Sequence, residues 1–164
     1  MRRLLITLFC ALPLAAQITT GGVPNGGLIP RYQAFDTETL SSAAEWLSVQ
    51  QVANGPQIQM RWGSVYCAAA CTVEFYRNAT LTGTHPPIQA VFGPPASAIV
   101  WLGTPMTPPG TMGAVYQLAA GQTQAFDLTE FVLGNGAGAN TSFSIGVATV
   151  SSKIELMVEW TEVF

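Results

Sequence analysis

The sequence has little charge. Charged residues make up 9% of its 164 residues, whereas an ordinary globular domain carries about 25%. No stretch gathers lysine and arginine, so we do not expect a nucleic-acid partner. The surface must consist mostly of Thr, Ser, Gln, Asn, Gly and exposed apolar groups. Such surfaces are typical of extracellular sandwiches, of subunits that pack against copies of themselves, and of membrane barrels.

Residues that could carry catalysis are also scarce. The sequence contains one histidine, His85, in a Pro-rich stretch that predicts a solvated loop, and it has no Gly-x-Ser-x-Gly motif. The pairs Asp36/Glu38 and Asp127/Glu130 could in principle serve as acid and base or hold calcium. A transition-metal site needs more cysteine and histidine than the chain offers. We therefore expect no enzyme, no cofactor and no metal site.

The one continuous apolar run lies at the N-terminus and is too short to span a bilayer as a helix. Two arginines at positions 2 and 3 precede it, and Ala15-Ala16-Gln17 follows it. A charged start, a short apolar stretch and small residues describe a secretory signal peptide over residues 1–16. Its removal leaves four basic and nine acidic residues, a net charge of 4 − 9 = −5. The predicted location is extracellular, cell-surface or periplasmic.

The remaining sequence predicts one all-β domain. Residues 17–28 are rich in glycine and form a flexible lead-in, either a disordered tail or an arm that adds to a neighbour. Residues 29–164 contain short alternating runs separated by Gly and Pro, without a long helical pattern. Eight to ten short strands at this spacing indicate an antiparallel β-sandwich, for which a jelly roll is one arrangement.

The clearest strand pattern lies between Thr141 and Glu162. Apolar residues alternate with polar ones in two runs, at Phe143, Ile145 and Val147 and then at Ile154, Leu156, Val158 and Trp160. Strand side chains alternate between faces, so each run has one core-facing side. A turn at Ser151-Ser152 would make the two runs a hairpin with Phe143 opposite Trp160. On this assignment Val158→Asp prevents folding, whereas Glu155 and Glu159 are solvated and Glu159→Gln is nearly silent.

Two cysteines predict a disulfide. Cys67 and Cys71 flank three alanines, so a three-residue hairpin loop would place them opposite each other in an exported, oxidising setting. A loop this short stabilises by roughly 2 kcal/mol. The same hairpin places Trp62 opposite Tyr76, as an exposed pair that could stack on a ligand or as a core pair.

The final strand suggests an alternative. It ends on Phe164, with Leu156, Val158 and Trp160 on the same side, and it resembles the C-terminal strand of bacterial outer-membrane barrels. Glu162 departs from that pattern, and most runs are shorter than the strands of such barrels, which have about ten residues.

These observations predict an exported, non-catalytic β-sandwich that acts as a surface, adhesive or assembly module. Self-association or a cell-surface or glycan partner would involve its faces or loops, without embedding in a membrane. One alternative is a carbohydrate-binding module that uses Trp62 and Tyr76 as an aromatic platform. The other alternative is a small outer-membrane barrel.

Overall fold

A computed structural model describes residues 29–79, 82–103, 111–134 and 141–163. These residues form eleven β-strands, all in antiparallel pairs. They contain no helix that could cross a membrane. The predicted signal peptide (1–16), the lead-in (17–28) and Phe164 lie outside the described residues.

Sheet A holds six strands. They are β1 (Arg31–Thr39), β3 (Gln57–Cys67), β5 (Gln89–Phe92), β8 (Gln122–Asp127), β9 (Val132–Leu133) and β11 (Lys153–Val163). Their order is β5-β1-β11-β3-β8, and the short β9 pairs with the first residues of β3.

Sheet B holds the other five strands. They are β2 (Ala43–Gln50), β4 (Cys71–Arg77), β6 (Ile99–Gly103), β7 (Thr111–Leu118) and β10 (Ser142–Val150). Their order is β6-β2-β10-β4-β7. The last two strands of the chain, β10 and β11, therefore lie at the centres of the two sheets.

The strand order is that of a jelly roll. If β5, β6 and β9 are set aside as additions, the other eight strands read 1-8-3-6 in sheet A and 2-7-4-5 in sheet B, counted along the chain. The prediction of an antiparallel sandwich is confirmed. Within the described residues the strands divide between two sheets, each of which ends in edge strands.

The core lies between the sheets, where alternate residues of every long strand meet. All the apolar residues predicted to face inward on the last two strands are buried: Phe143, Ile145, Val147, Ile154, Leu156, Val158 and Trp160. Trp160 packs against Tyr32 of β1 with ring centroids 5.8 Å apart. The faces of these strands were therefore predicted correctly.

The pairing of the last two strands was not predicted correctly. The predicted hairpin between the last two strands is wrong, because β10 belongs to sheet B and β11 to sheet A. Phe143 pairs with Val49 and Arg77, whereas Trp160 pairs with Tyr32 and Met60. Alternation indicates which side of a strand is buried. It does not indicate whether the next strand pairs with it in the same sheet or packs against it from the facing sheet.

The cysteine hairpin is wrong for the same reason, although its disulfide is confirmed. Cys67 ends β3 in sheet A and Cys71 begins β4 in sheet B, with their Cα atoms 6.3 Å apart. The bond therefore joins the two sheets at one end of the sandwich. As a consequence Trp62 and Tyr76 lie in different sheets and do not form a pair.

All four connections at this end of the sandwich pass from one sheet to the other, at residues 40–42, 68–70, 119–121 and 151–152. Backbone hydrogen bonds link the connections. Leu40 N–H donates to Ser152 C=O at 3.0 Å, and Gly121 N–H donates to Cys67 C=O at 2.9 Å. Among the described strands, none pairs with its neighbour in the chain.

Candidate functional site on the outer face of sheet A

The outer face of sheet B is largely buried near its centre. Trp46 and Tyr76 are both buried there, with ring centroids 4.9 Å apart, and Ala79 packs against them. Beside them Ser48 Oγ donates to Ser144 Oγ at 2.7 Å, and both serines are also buried. The centre of this face therefore offers few accessible groups to a partner.

Gly146 explains why two large rings fit on that face. It pairs with Trp46 from β10, and a Cβ at this position would lie 2.7 Å from the ring of Trp46. The Tyr76 hydroxyl donates to Glu74 at 3.3 Å, and burial together with the nearby Glu74 carboxylate raises the pKa of Tyr76. Tyr76 is therefore part of a structural cluster, away from the face that carries Trp62.

The outer face of sheet A is open and carries aromatic rings among polar groups. Phe35 is 47% exposed, and Trp62 and Tyr66 are partly exposed. Strand register arranges the face in three rows, Gln33–Glu159–Trp62–Asp127, Phe35–Met157–Ser64–Ala125 and Thr37–Glu155–Tyr66–Thr123. Small residues in the middle row separate Trp62 from Tyr66 and leave space between the rings.

A β-bulge in β3 turns Trp62 outward. Glu159 pairs with Trp62 while the next residue, Trp160, pairs with Met60, so Arg61 is an extra residue in the strand. If β3 alternated regularly, without this bulge, Trp62 would lie on the same side of the strand as Met60, which is buried. Counted back from the buried Val65, regular alternation would instead place Arg61 on the core side, and its charge there was the sequence signal for this bulge.

Glu159 is held by two arginines beside Trp62. Its Oε1 lies 2.6 Å from Arg31 Nη2 and 3.4 Å from Arg61 Nε, and the residue is only 4% exposed. The expectation that Glu159 is a freely solvated acid is therefore wrong. Both arginine side chains stay about half exposed beside the indole.

Glu155 differs from Glu159, as its carboxylate is exposed and lies 2.7 Å from Lys153 Nζ. This hydrogen bond raises the pKa of Lys153. Next to Glu155, a shallow depression of about 270 Å³ is lined by Phe35, Ser64, Tyr66 and other residues of the face. Aromatic rings next to hydroxyl and carboxylate groups suit a ligand that both stacks and forms hydrogen bonds.

The other predicted candidates have structural partners. The His85 ring lies 4.2 Å from Trp101, and its Nδ1–H donates to the Val100 carbonyl at 2.8 Å. Asp127 accepts hydrogen bonds from the backbone N–H and hydroxyl of Thr129, which lower the pKa of Asp127. In the part of the chain that the structure describes, no three His, Cys, Asp or Glu side chains could hold a metal ion.

Sequence reasoning missed Glu45, which joins Asp36 and Glu38 at one end of the core. Glu45 shares the inward side of β2 with Leu47, and the two other acids share the inward side of β1 with Ala34. Burial, followed by repulsion from Glu38 and Asp36, raises the pKa of Glu45 to about 7. Burial and Glu38 also raise the pKa of Asp36.

No family model, curated protein or solved structure matches this chain. A jelly roll alone does not imply a function, because unrelated activities share this fold. The chemistry of the open face of sheet A is therefore the basis for the functional argument.

Proposed function

We propose that this chain is an exported, non-catalytic binding module that attaches to a partner surface through the outer face of sheet A. The supporting observation is the contrast between the two outer faces. Trp46 and Tyr76 on the outer face of sheet B are buried in a cluster, whereas Phe35, Trp62 and Tyr66 of sheet A remain accessible beside two half-exposed arginines. Tyr, Trp and Arg are the side chains that contribute most at protein interfaces.

Two further features favour an exported module. The predicted signal peptide directs the chain out of the cytoplasm. The Cys67–Cys71 disulfide between the sheets persists in an oxidising compartment.

Cell fractionation tests this proposal. The producing cell would express the chain with its own leader, and immunoblots would measure its distribution between envelope and medium. We expect the natural chain on the envelope and the double variant Phe35→Ser/Trp62→Ala in the medium. Val115→Ser on β7 of sheet B is a matched control, since Val115 is 46% exposed and Phe35 47%. Retention of the folded double variant at the natural level would contradict the proposal.

The ion-paired group beside Trp62 favours a second candidate, carbohydrate binding. An indole can stack on the apolar face of a sugar ring, while the fixed Glu159 and the half-exposed Arg31 and Arg61 offer hydrogen bonds to hydroxyl groups. This platform differs from the predicted one, because Tyr76 lies on the other sheet.

Depletion assays with insoluble polysaccharides separate this candidate from a protein partner. Trp62→Ala should abolish binding to the polysaccharide retained by the natural chain. Tyr76→Phe, which keeps the buried ring, should bind as the natural chain does. Equal binding by Trp62→Ala and the natural chain would exclude this platform.

A further inference from the structure

The edge strands of the two sheets are protected to different degrees. An edge strand has unpaired backbone groups that can pair with another chain, so natural proteins shorten, cover or charge such strands. In sheet A, β5 has four residues and an irregular register against β1, and β8 has six residues. In sheet B, Thr84 covers part of β6 through two backbone hydrogen bonds of 2.8 Å with Leu102.

Within the described residues the remaining edge strand, β7, is neither short nor covered, although its register against β4 shifts once, at Gly113. It has eight residues, and its sequence Thr-Met-Gly-Ala-Val-Tyr-Gln-Leu contains neither charge nor proline. Among the described strands it pairs with β4 only. Val115 is 46% exposed and Tyr116 is 45% exposed, so an apolar part of this edge faces solvent.

Tyr116 also lies at an incomplete part of the core. It shares the inward side of β7 with Leu118, and its ring contacts Phe75 and Phe126 at centroid distances of 5.5 and 5.0 Å. These rings line a cleft of about 530 Å³ between β7 and β8, the edge strands on the same side of the sandwich. A strand added to β7 would cover the exposed part of the Tyr116 ring.

We infer that β7 pairs antiparallel with β7 of a second copy of this chain, joining two B sheets across a twofold axis. The absence of charge favours a second copy, because a twofold axis places the strand against itself and would bring any charge close to its equivalent. The nearest acid on β4, Glu74, accepts the hydrogen bond from Tyr76 on the outer face. Such a dimer leaves both A faces free, so two binding faces could engage one surface.

Sedimentation equilibrium over a concentration series tests the inference, with protein expressed with its native leader and purified after export. We expect the natural chain to reach the mass of a dimer. Val115→Lys places a charge against its equivalent and should weaken the association at least tenfold. Val91→Lys changes an equally exposed valine on β5 and should associate as the natural chain does. Circular dichroism melts of each variant check that it is folded.

Hydrogen exchange identifies the surface used. Amides of β7 should become protected as the dimer forms, while those of β5 should not change. A natural chain that is monomeric at every concentration would overturn the inference. So would a folded Val115→Lys variant that associates as tightly as the natural chain, or protection that appears outside β7.

Discussion

Replacing Glu45 with Gln should make the protein more stable at neutral pH. The carboxyl of Glu45 is partly buried at the end of the core and is close enough to Asp36 and Glu38 for their charges to raise its pKa to about 7. Glutamine has the same shape and cannot ionise, so it removes the cost of a charge at this site. The effect should therefore depend on pH in a direction fixed by the pKa.

The sign follows from proton binding. Below pH 4.5, the ordinary pKa of Glu45, the folded and unfolded chains both hold the proton. Between pH 4.5 and about 7 only the folded chain keeps it, so stability falls as the pH rises and then levels off. The full shift corresponds to about 3.4 kcal/mol at 1.36 kcal/mol per pKa unit. Solvent reaches this half-buried group, so we expect about 1–2 kcal/mol.

Other shifted groups leave this window clear or act in the same direction. The raised pKa of Asp36 adds a further loss of stability as the pH rises from its ordinary value of 3.8. The pKa of Asp127 is lowered from 3.8, so its stabilising contribution is constant within the window and is lost only at lower pH. The pKa of Lys153 is raised from 10.5, so its stabilising contribution is also constant within the window and is lost only above pH 10.5.

Urea unfolding at several pH values between 5 and 8 measures the effect. The unfolding free energies of the natural chain and Glu45→Gln should be close at pH 5 and separate towards pH 8, with the variant more stable. Glu155→Gln is the control, because that carboxylate is exposed on the outer face and its variant should not gain stability with pH. If the curves of the natural chain and Glu45→Gln stay parallel from pH 5 to 8, the assigned repulsion among these acids is wrong.

Four further changes test the packing by urea unfolding. Glu162→Gln replaces an acceptor of several hydrogen bonds and should cost about 2–4 kcal/mol, so a loss under 0.5 kcal/mol would contradict its role. Glu159→Gln should cost about 1–2 kcal/mol. This difference should shrink in 1 M salt, because salt screens the ion pairs that only the natural chain has. A silent change would instead support the expectation from the sequence. Val158→Asp puts a charge in the core and should leave no cooperative transition. Reducing Cys67–Cys71 should cost roughly 2 kcal/mol without unfolding the sandwich.

The sequence predicted strand faces better than strand partners. Period-two alternation placed Phe143, Val158 and Trp160 in the core, and the structure buries all three. Consecutive strands often pair, so short links at residues 68–70 and 151–152 indicated hairpins. Both links instead join the two sheets. Packed sheets lie about 10 Å apart, a distance that two or three residues can span, so link length did not distinguish the two arrangements.

The candidate face was only partly predictable. Trp62 was identified, but its true neighbours depend on the Arg61 bulge and on strands far away in sequence. The two arginines that hold Glu159 come from β1 and β3, and no local pattern shows that they meet. The neighbours of Trp62 and Glu159 therefore depend on the register of strands that are distant in sequence, which local patterns do not show.

Glu162 illustrates the same limit. It interrupted the apolar pattern of the last strand, yet the structure buries it completely. Its two carboxylate oxygens accept hydrogen bonds from the backbone N–H of Ser97 at 3.0 Å, the Ser97 hydroxyl at 2.6 Å and the Ala98 N–H at 2.9 Å. The carboxylate therefore fixes the end of the link between β5 and β6 to the final strand, where Ser97 and Ala98 have no strand partner among the described residues.

The position of the last two strands sets a condition on folding. β10 lies between β2 and β4, and β11 lies between β1 and β3, so neither sheet can be completed until residues 142–163 are available. The N-terminal strands do not pair with their neighbours in the chain, so their partners are distant in sequence. Pairing between distant segments makes folding slow. A chain exported from its N-terminus would therefore emerge without a closed core. The uncharged β7 edge would be accessible throughout that interval, which makes pairing between copies possible before, as well as after, each sandwich closes.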